Sequence, residues 1–83
     1  MKYTLTEHAK KMLTEREIRL EWLERALHEP ALCRPDPNDP ALECRYRPVP
    51  ELEGRVLRAV INITVEPVRV VSVFFDRSKR GKL

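Results

Sequence analysis

The chain has 83 residues, of which 42% are hydrophobic and 35% charged, and its formal net charge at pH 7 is +3. A chain of this length builds one small core, which excludes a separate catalytic domain, and its apolar content excludes a disordered chain. Residues 67–83 hold five basic and one acidic side chain. We therefore divide the chain into one domain, residues 1–76, and a basic tail, residues 77–83. Such a tail suits phosphate or an acidic partner, although a frayed, solvated end explains it as well.

Two amphipathic helices are predicted in the N-terminal third. Thr6 is suited to cap a first helix from residue 7 to about residue 15 or 16. A second helix is expected over residues 19–29, where leucines and alanines recur at helical spacing. Pro30 ends it, because the residue before a proline avoids helical backbone angles.

The remainder of the chain predicts β-structure. Four segments are strand-like in pattern, separated by proline or glycine: residues 31–34, 41–49, 55–65 and 68–75. Pro48 and Pro50 indicate an edge or a bulge at the end of the second segment. The order predicts an α+β domain in which two N-terminal helices pack on a three- or four-stranded antiparallel sheet.

Several kinds of site are not expected. The chain has no glycine-rich phosphate loop, and its two histidines and two cysteines lack zinc-site spacing, so we expect neither a metal nor a cofactor. Cys33 and Cys44 are interpreted as small core residues in a reducing compartment. With no apolar run of about 20 residues and no signal peptide, the expectation is a cytoplasmic protein with no membrane partner.

Arginines of the predicted strands form the main candidate site. We expect Arg47 to lie opposite Arg58, with Arg45 one step along the strand. Two guanidinium groups about 5 Å apart repel each other unless an anion or a carboxylate lies between them. Guanidinium forks bind phosphate oxygens in a bidentate way, which favours a phosphate ligand. The alternative is a solvated face on which the arginines are neutralised by Glu43, Glu51 or Glu53.

His8 and Arg16 lie two helical turns apart in one row of the first predicted helix. The ordinary pKa of histidine is near neutrality, so His8 could move a proton during phosphodiester cleavage. Alternatively, both residues dock the helix on the sheet through hydrogen bonds and ion pairs. We favour docking, because a histidine without a visible partner rarely proves catalysis.

The stretch "TEHAKKMLTEREI" resembles the opening H-A-x-x-R-M-x-x-R-G-I of a family of small uncharacterised bacterial proteins. His8, Ala9, Arg16 and Ile18 match that pattern, whereas Met12 replaces its first arginine and Glu17 its glycine. "ALHEP" at residues 26–30 and "RVVSVFFD" at residues 69–76 resemble its second helix and last strand. The lost glycine predicts a different turn between the helices.

That family is grouped with RelE/ParE-type toxins, whose fold is two helices followed by an antiparallel sheet. The resemblance implies a toxin-like RNA-binding protein or metal-independent ribonuclease, with RNA as substrate and an antitoxin protein as partner. It implies these catalytic candidates: His8, Tyr46, Arg47 and Arg58. The binding candidates are Arg16, Arg45, Arg77, Lys79 and Arg80.

A second functional class remains open from the sequence. Pro48 and Pro50 mark one strand as a sheet edge, and an edge can accept a strand from another protein. The chain would then be a non-catalytic interaction domain, or a homodimer formed through its apolar sheet.

Overall fold

A computed structural model describes residues 2–83. The helices and strands are, in chain order, β1 Tyr3–Leu5, α1 Glu7–Glu15, α2 Leu20–His28, β2 Leu32–Pro35, β3 Leu42–Val49, β4 Arg55–Asn62 and β5 Val68–Phe75. Two short 3₁₀ turns, Pro50–Leu52 and Arg77–Lys79, follow β3 and β5. The predicted α+β class and both helices are confirmed. The predicted N-cap is also confirmed, because the Thr6 hydroxyl oxygen accepts a hydrogen bond from the Ala9 amide at 3.1 Å.

The sheet has five strands in the order β1-β5-β4-β3-β2. β1 pairs with β5 in parallel, and the other pairs are antiparallel. The prediction of three or four antiparallel strands is therefore wrong in one respect, because it lacks β1 and its parallel pairing with β5. This strand escaped prediction because three residues before a helix cap carry too short a pattern to identify a strand.

Both helices cover one face of the sheet. Ala9 and the buried stripe of α2 pack against Leu57, Ala59 and Ile61 of the central strand β4. Leu23, Leu27 and Leu57 are almost fully buried, and each such side chain contributes about 1.5–3 kcal/mol. The other face of the sheet, which no helix covers, is called the open face below.

The open face has a smaller apolar cluster of its own. Its buried members come from β3 and β4, with side chains of β2 and β5 packed around them: Cys44, Tyr46, Val56 and Val60, and then Leu32, Leu42 and Phe74. Cys44 therefore agrees with its predicted core position. Cys33 does not, because it is exposed on β2, and both cysteines are free thiols.

The register between β3 and β4 differs from the predicted one. Tyr46 lies opposite Arg58, and Arg47 lies opposite Leu57, so the predicted pairing of Arg47 with Arg58 is wrong. A slip of one residue exchanges the two faces of a strand. Arg45 and Arg47 consequently project from the helix-covered face, and Arg58 from the open face.

The turn between the helices has a left-handed backbone at Glu17, where φ is 52°. Glycine adopts this conformation at little cost, whereas a residue with a Cβ is strained in it. The Ile18 amide donates to the Leu13 carbonyl at 2.9 Å, which closes the end of α1. Glu17 thus takes up the left-handed conformation that glycine adopts most readily, and the expectation that this turn differs from the family's stays a prediction.

The prolines of β3 lie beyond the end of β2. β2 pairs with residues 43–46 of β3 only, so Pro48 has a strand on one side alone. β3 is therefore an inner strand with an unpaired end, and β2 is the edge strand on this side of the sheet. Within residues 2–83 no helix is long and apolar enough to cross a membrane.

Candidate nucleic-acid interface

A row of three side chains crosses the open face on neighbouring strands. Tyr46 of β3 lies opposite Arg58 of β4, which lies opposite Phe74 of β5. The Arg58 guanidinium carbon is 5.6 Å from the Tyr46 ring centroid and 5.3 Å from that of Phe74. These distances lie within the range of cation–π attraction. Two predicted site residues, Tyr46 and Arg58, are thus in contact.

Arg58 is held by polar groups as well as by the rings. Its Nη1 is 3.5 Å from an Asp76 carboxylate oxygen, and its Nη2 donates to the Cys44 sulfur at 3.3 Å. The Nε atom is buried without a hydrogen-bond partner among the described residues. The Arg58 side chain remains 23% exposed, so part of the guanidinium faces solvent.

The 3₁₀ turn after β5 brings a second cation to the same face. Lys79 Nζ is 5.6 Å from the centroid of the Tyr46 ring. Asp76 fixes this turn, because one carboxylate oxygen accepts hydrogen bonds from the Ser78 amide at 2.9 Å and the Ser78 hydroxyl at 2.6 Å. A predicted tail residue, Lys79, is therefore placed beside Tyr46 by a specific cap.

The charges of this cluster are fixed at neutral pH. The Ser78 hydrogen bonds hold the pKa of Asp76 below its ordinary value. Burial lowers the pKa of Arg58, whereas the Cys44 hydrogen bond and the nearby charges raise it. The raising effects are larger together, so the pKa of Arg58 lies above its ordinary value. Burial raises the pKa of Tyr46, against the opposing effect of the Arg58 charge. The Tyr46 hydroxyl can therefore donate a proton or hydrogen bond but does not act as a base.

A pocket of ≈ 540 Å³ opens where β4 begins and β5 ends. Its lining includes three arginines and one carboxylate: Arg55, Arg77, Arg80 and Asp76, with Val56 and Phe75 between them. The Asp76 amide donates to the Val56 carbonyl at 2.8 Å, which joins the pocket to the end of the sheet. We call this site the arginine pocket.

Arg45 and Arg47 are used elsewhere in the fold. Arg45 Nη1 donates to the Leu27 carbonyl at 2.7 Å, and its Nε contacts Glu43 at 2.7 Å. Arg47 Nη1 donates to the Glu29 carbonyl at 2.6 Å. Both arginines thus satisfy carbonyl groups at the C-terminal end of α2, which helices leave without internal partners.

Comparison with known proteins assigns the chain to a family. Residues 5–75 match the model of a domain of unknown function, DUF4258. The chain belongs to the DUF4258 family. No curated protein and no solved structure matches the chain. The DUF4258 match covers both helices and β2 to β5 but ends before Asp76, so Arg77, Lys79 and Arg80 lie outside it.

Two predicted residues of this DUF4258 chain lie away from the open face. His8 is exposed in the first turn of α1, and Arg16 is exposed just after that helix. The expectation that they dock α1 is wrong, because apolar side chains, Ala9, Met12 and Leu13, pack this helix instead. Within residues 2–83 no three His, Cys, Asp or Glu side chains are grouped as a metal site requires.

Sequence reasoning missed Arg55, Phe74 and Asp76. The available signal for Asp76 was the sequence "DRS" directly after a strand, since an aspartate two residues before a serine often caps a turn. Arg55 and Phe74 required the strand register. Arg55 begins β4 beside the end of β5, and only the antiparallel pairing of these strands brings it to Arg77.

Proposed function

We propose that this DUF4258 domain is a toxin-like RNA-binding protein that holds single-stranded RNA on its open face. The observation that carries the proposal is the row of Tyr46, Arg58 and Phe74 with Lys79 beside it. Arginine-rich surfaces with aromatic side chains bind single strands, because cations neutralise phosphates and rings stack on bases. The arginine pocket continues this surface at the end of β4 and β5.

The distribution of cations supports RNA over an acidic protein. Arg77, Lys79 and Arg80 lie near one end of the open face. Arg55 lies at the same end of the sheet, over the Phe75 ring on its helix-covered side. The carboxylate that lines the arginine pocket, Asp76, is already engaged by Ser78 and Arg58. A cationic surface beside the partly exposed Phe74 ring suits the repeated phosphates and bases of RNA.

The toxin-like part of the proposal is supported by the order of the secondary structure. Two helices followed by antiparallel strands are what the resemblance to RelE/ParE-type toxins implies. The proposal accordingly includes a cytoplasmic location and an antitoxin protein as partner. In such a system, expression of the chain alone arrests bacterial growth, and co-expression of the antitoxin restores it.

Cleavage without a metal is a second candidate function, favoured by the protonated Tyr46 hydroxyl beside Arg58. In this scheme the 2′-oxygen of RNA attacks the neighbouring phosphorus and the bond to the 5′-oxygen breaks. The proton of the 2′-hydroxyl passes to solvent water, Tyr46 donates a proton to the departing 5′-oxygen and is reprotonated from water, and Arg58 and Lys79 balance the charge on the phosphate. His8 has no part in it, since it is exposed on α1, which packs on the helix-covered face.

Binding is tested by fluorescence anisotropy with a single-stranded RNA of about ten nucleotides. We expect affinity to fall about 50-fold between 50 and 200 mM salt if about four phosphates are contacted. Lys79→Gln should weaken binding about threefold to tenfold. Arg69→Gln is the matched control, because Arg69 is exposed at the start of β5, away from Lys79. Equal losses in both variants would contradict the assignment to the open face.

Cleavage is tested separately with end-labelled RNA in the presence of EDTA. Tyr46→Phe should abolish cleavage while leaving the affinity for RNA within about twofold, because only the proton donor is removed. Intact RNA with the wild-type protein, despite measurable binding, would remove the ribonuclease candidate and leave RNA binding in place.

A non-catalytic interaction domain is the alternative, favoured by the edge strand β2. Cys33, Arg34 and Pro35 of this strand are exposed, so its free edge is open to a partner strand. Specific capture of one protein, or a dimer in light scattering, together with no RNA binding would support this alternative. RNA binding by a monomer would contradict it.

A further inference from the structure

The arginine pocket suggests which part of an RNA chain the protein holds. We propose that it binds the terminal phosphate of the RNA, while the adjoining nucleotides lie on the open face. This inference rests on the proposed RNA binding and goes further, because it names a chain end as the ligand. Three features of the pocket carry it: its place, its free charges and its shape.

The place of the pocket follows from the antiparallel pairing. β4 starts where β5 ends, and the Asp76 amide extends this pair by one hydrogen bond, to the Val56 carbonyl. The chain then folds into the 3₁₀ turn and carries Arg77 and Arg80 back over the end of the sheet. The pocket therefore adjoins the open face at one end, where a strand of RNA lying on that face would finish.

The charges of the pocket favour a phosphomonoester. The negative charge of Asp76 is balanced by Arg58, so the three pocket arginines are left in excess. A terminal phosphomonoester carries a charge of about −1.5 to −2 at pH 7, against −1 for each internal phosphodiester. Three guanidinium groups around one pocket attract the more highly charged group more strongly.

The pocket arginines are available for a ligand. The Arg55 guanidinium carbon lies over the Phe75 ring, 4.1 Å from its centroid, and Arg55 is exposed. Among residues 2–83, Arg77 makes no salt bridge. Arg80 donates one hydrogen bond to the Glu53 backbone carbonyl at 3.3 Å and is 4.0 Å from the carboxylate of Glu53, which is 93% exposed. Such an exposed pair is worth about 0–1 kcal/mol and is readily exchanged for a phosphate contact.

The shape of the pocket also suits a chain end. Its volume of ≈ 540 Å³ lies in the usual range for small-molecule sites. Val56 and Phe75 provide an apolar part of the lining, against which a terminal sugar or base can pack. The arginines on the remaining sides then meet the phosphate.

The test compares three RNAs of one sequence, about eight nucleotides long, each labelled at an internal base. One carries a 5′-phosphate, one a 3′-phosphate, and one has hydroxyl groups at both ends. We expect anisotropy to show about tenfold tighter binding of one phosphorylated RNA, whichever end fits the pocket. Arg55→Gln and Arg77→Gln should each reduce this preference to about twofold or less, whereas Arg69→Gln should preserve it.

Each failure has a separate meaning. Equal affinity for the three RNAs overturns the terminal-phosphate inference and leaves RNA binding intact. No binding of any RNA overturns both the inference and the proposed function. A preference that survives in Arg55→Gln and Arg77→Gln overturns the assignment to the arginine pocket. Thermal unfolding of each variant verifies that the chain is folded, and both substituted arginines are exposed.

Discussion

The Arg47 guanidinium donates a hydrogen bond to the backbone carbonyl of Glu29, the C-cap residue directly after α2. Arg45 makes the equivalent bond to Leu27 inside the last turn. Together they place two cations at the partly negative end of a helix, where cations are stabilising. The alternating arginines of β3, which the sequence suggests as an RNA-binding face, thus attach α2 to the sheet.

Removal of either arginine head group should therefore lower stability. We expect Arg45→Met and Arg47→Met each to reduce the free energy of unfolding by about 1–2 kcal/mol, since a charged hydrogen bond to a helix carbonyl is lost. Urea denaturation measures the change. Arg69→Met supplies the control for charge alone. An unchanged unfolding free energy for both variants would mean that these bonds do not hold α2.

Substitution of Glu17 should increase stability. Its φ of 52° lies in the left-handed region, so we expect Glu17→Gly to raise the free energy of unfolding by about 0.5–1 kcal/mol. Glu15→Gly, in the last turn of α1, is the matched variant and should lower it by about 0.5–1 kcal/mol. Chemical denaturation of both proteins compares the signs, and a loss of stability in both would refute the strain at Glu17.

The Arg25–Glu51 pair should make stability depend on pH. Arg25 donates two hydrogen bonds to the Glu51 carboxylate, at 2.9 and 2.7 Å. These bonds lower the pKa of Glu51 from its ordinary 4.5 to about 2. Because the folded pKa lies below the unfolded one, the stabilisation is present above pH 4.5 and is lost as the pH falls toward 2.

Denaturation of the wild type and Glu51→Gln across that window tests this sign. The stability difference between the two proteins should be constant near neutrality and should shrink steadily below pH 4.5. Glu66→Gln, at an exposed loop position, should show no such trend. A difference between wild type and Glu51→Gln that is the same at pH 7 and pH 3 would rule out the pair as its source.

Asp76 should limit the affinity for RNA. It is the one carboxylate that lines the arginine pocket, and it is ionised at neutral pH because Ser78 lowers its pKa. Asp76→Asn keeps a hydrogen-bond acceptor for Ser78 and removes the negative charge, so we expect about threefold to tenfold tighter binding at low salt. Glu66→Gln makes the same change of charge far from the pocket, and an equal gain in that variant would show a non-specific effect.

The two cysteines should react at different rates. Cys33 is exposed on β2, whereas Cys44 is buried on the open face beneath Arg58. In the native protein, a thiol reagent should modify Cys33 rapidly, and Cys44 only after denaturation. Cys33→Ser should abolish the fast phase. Two fast phases in the wild type would show that Arg58 does not cover Cys44.

The helices were predictable because their signals are local. Thr6, the apolar stripes and Pro30 each act within one turn of the chain. The strands β2 to β5 were also recognisable from alternation and proline positions. β1 was not, because it is only three residues long and its pairing with β5 joins segments far apart in the chain.

The candidate site depends on the register between β3 and β4, which the sequence pattern predicts only weakly. The hairpin between β3 and β4 contains a 3₁₀ turn and a left-handed Glu53 before Gly54, so the number of residues in the turn did not fix which residues face each other. The predicted pairing was off by one residue, which placed Arg47 beside Arg58 in place of Tyr46. Tyr46 and Arg58 come together through the β3–β4 register, and Lys79 joins them through the turn after β5.

The parallel pairing of β1 with β5 has a mechanical consequence. A force applied at Tyr3 and at Phe75, pulling the two residues apart along the strands, loads the hydrogen bonds between β1 and β5 all at once, as shear. Bonds loaded together resist more strongly than bonds opened one after another. Three residues at the beginning of the fold therefore fasten its last strand against extension.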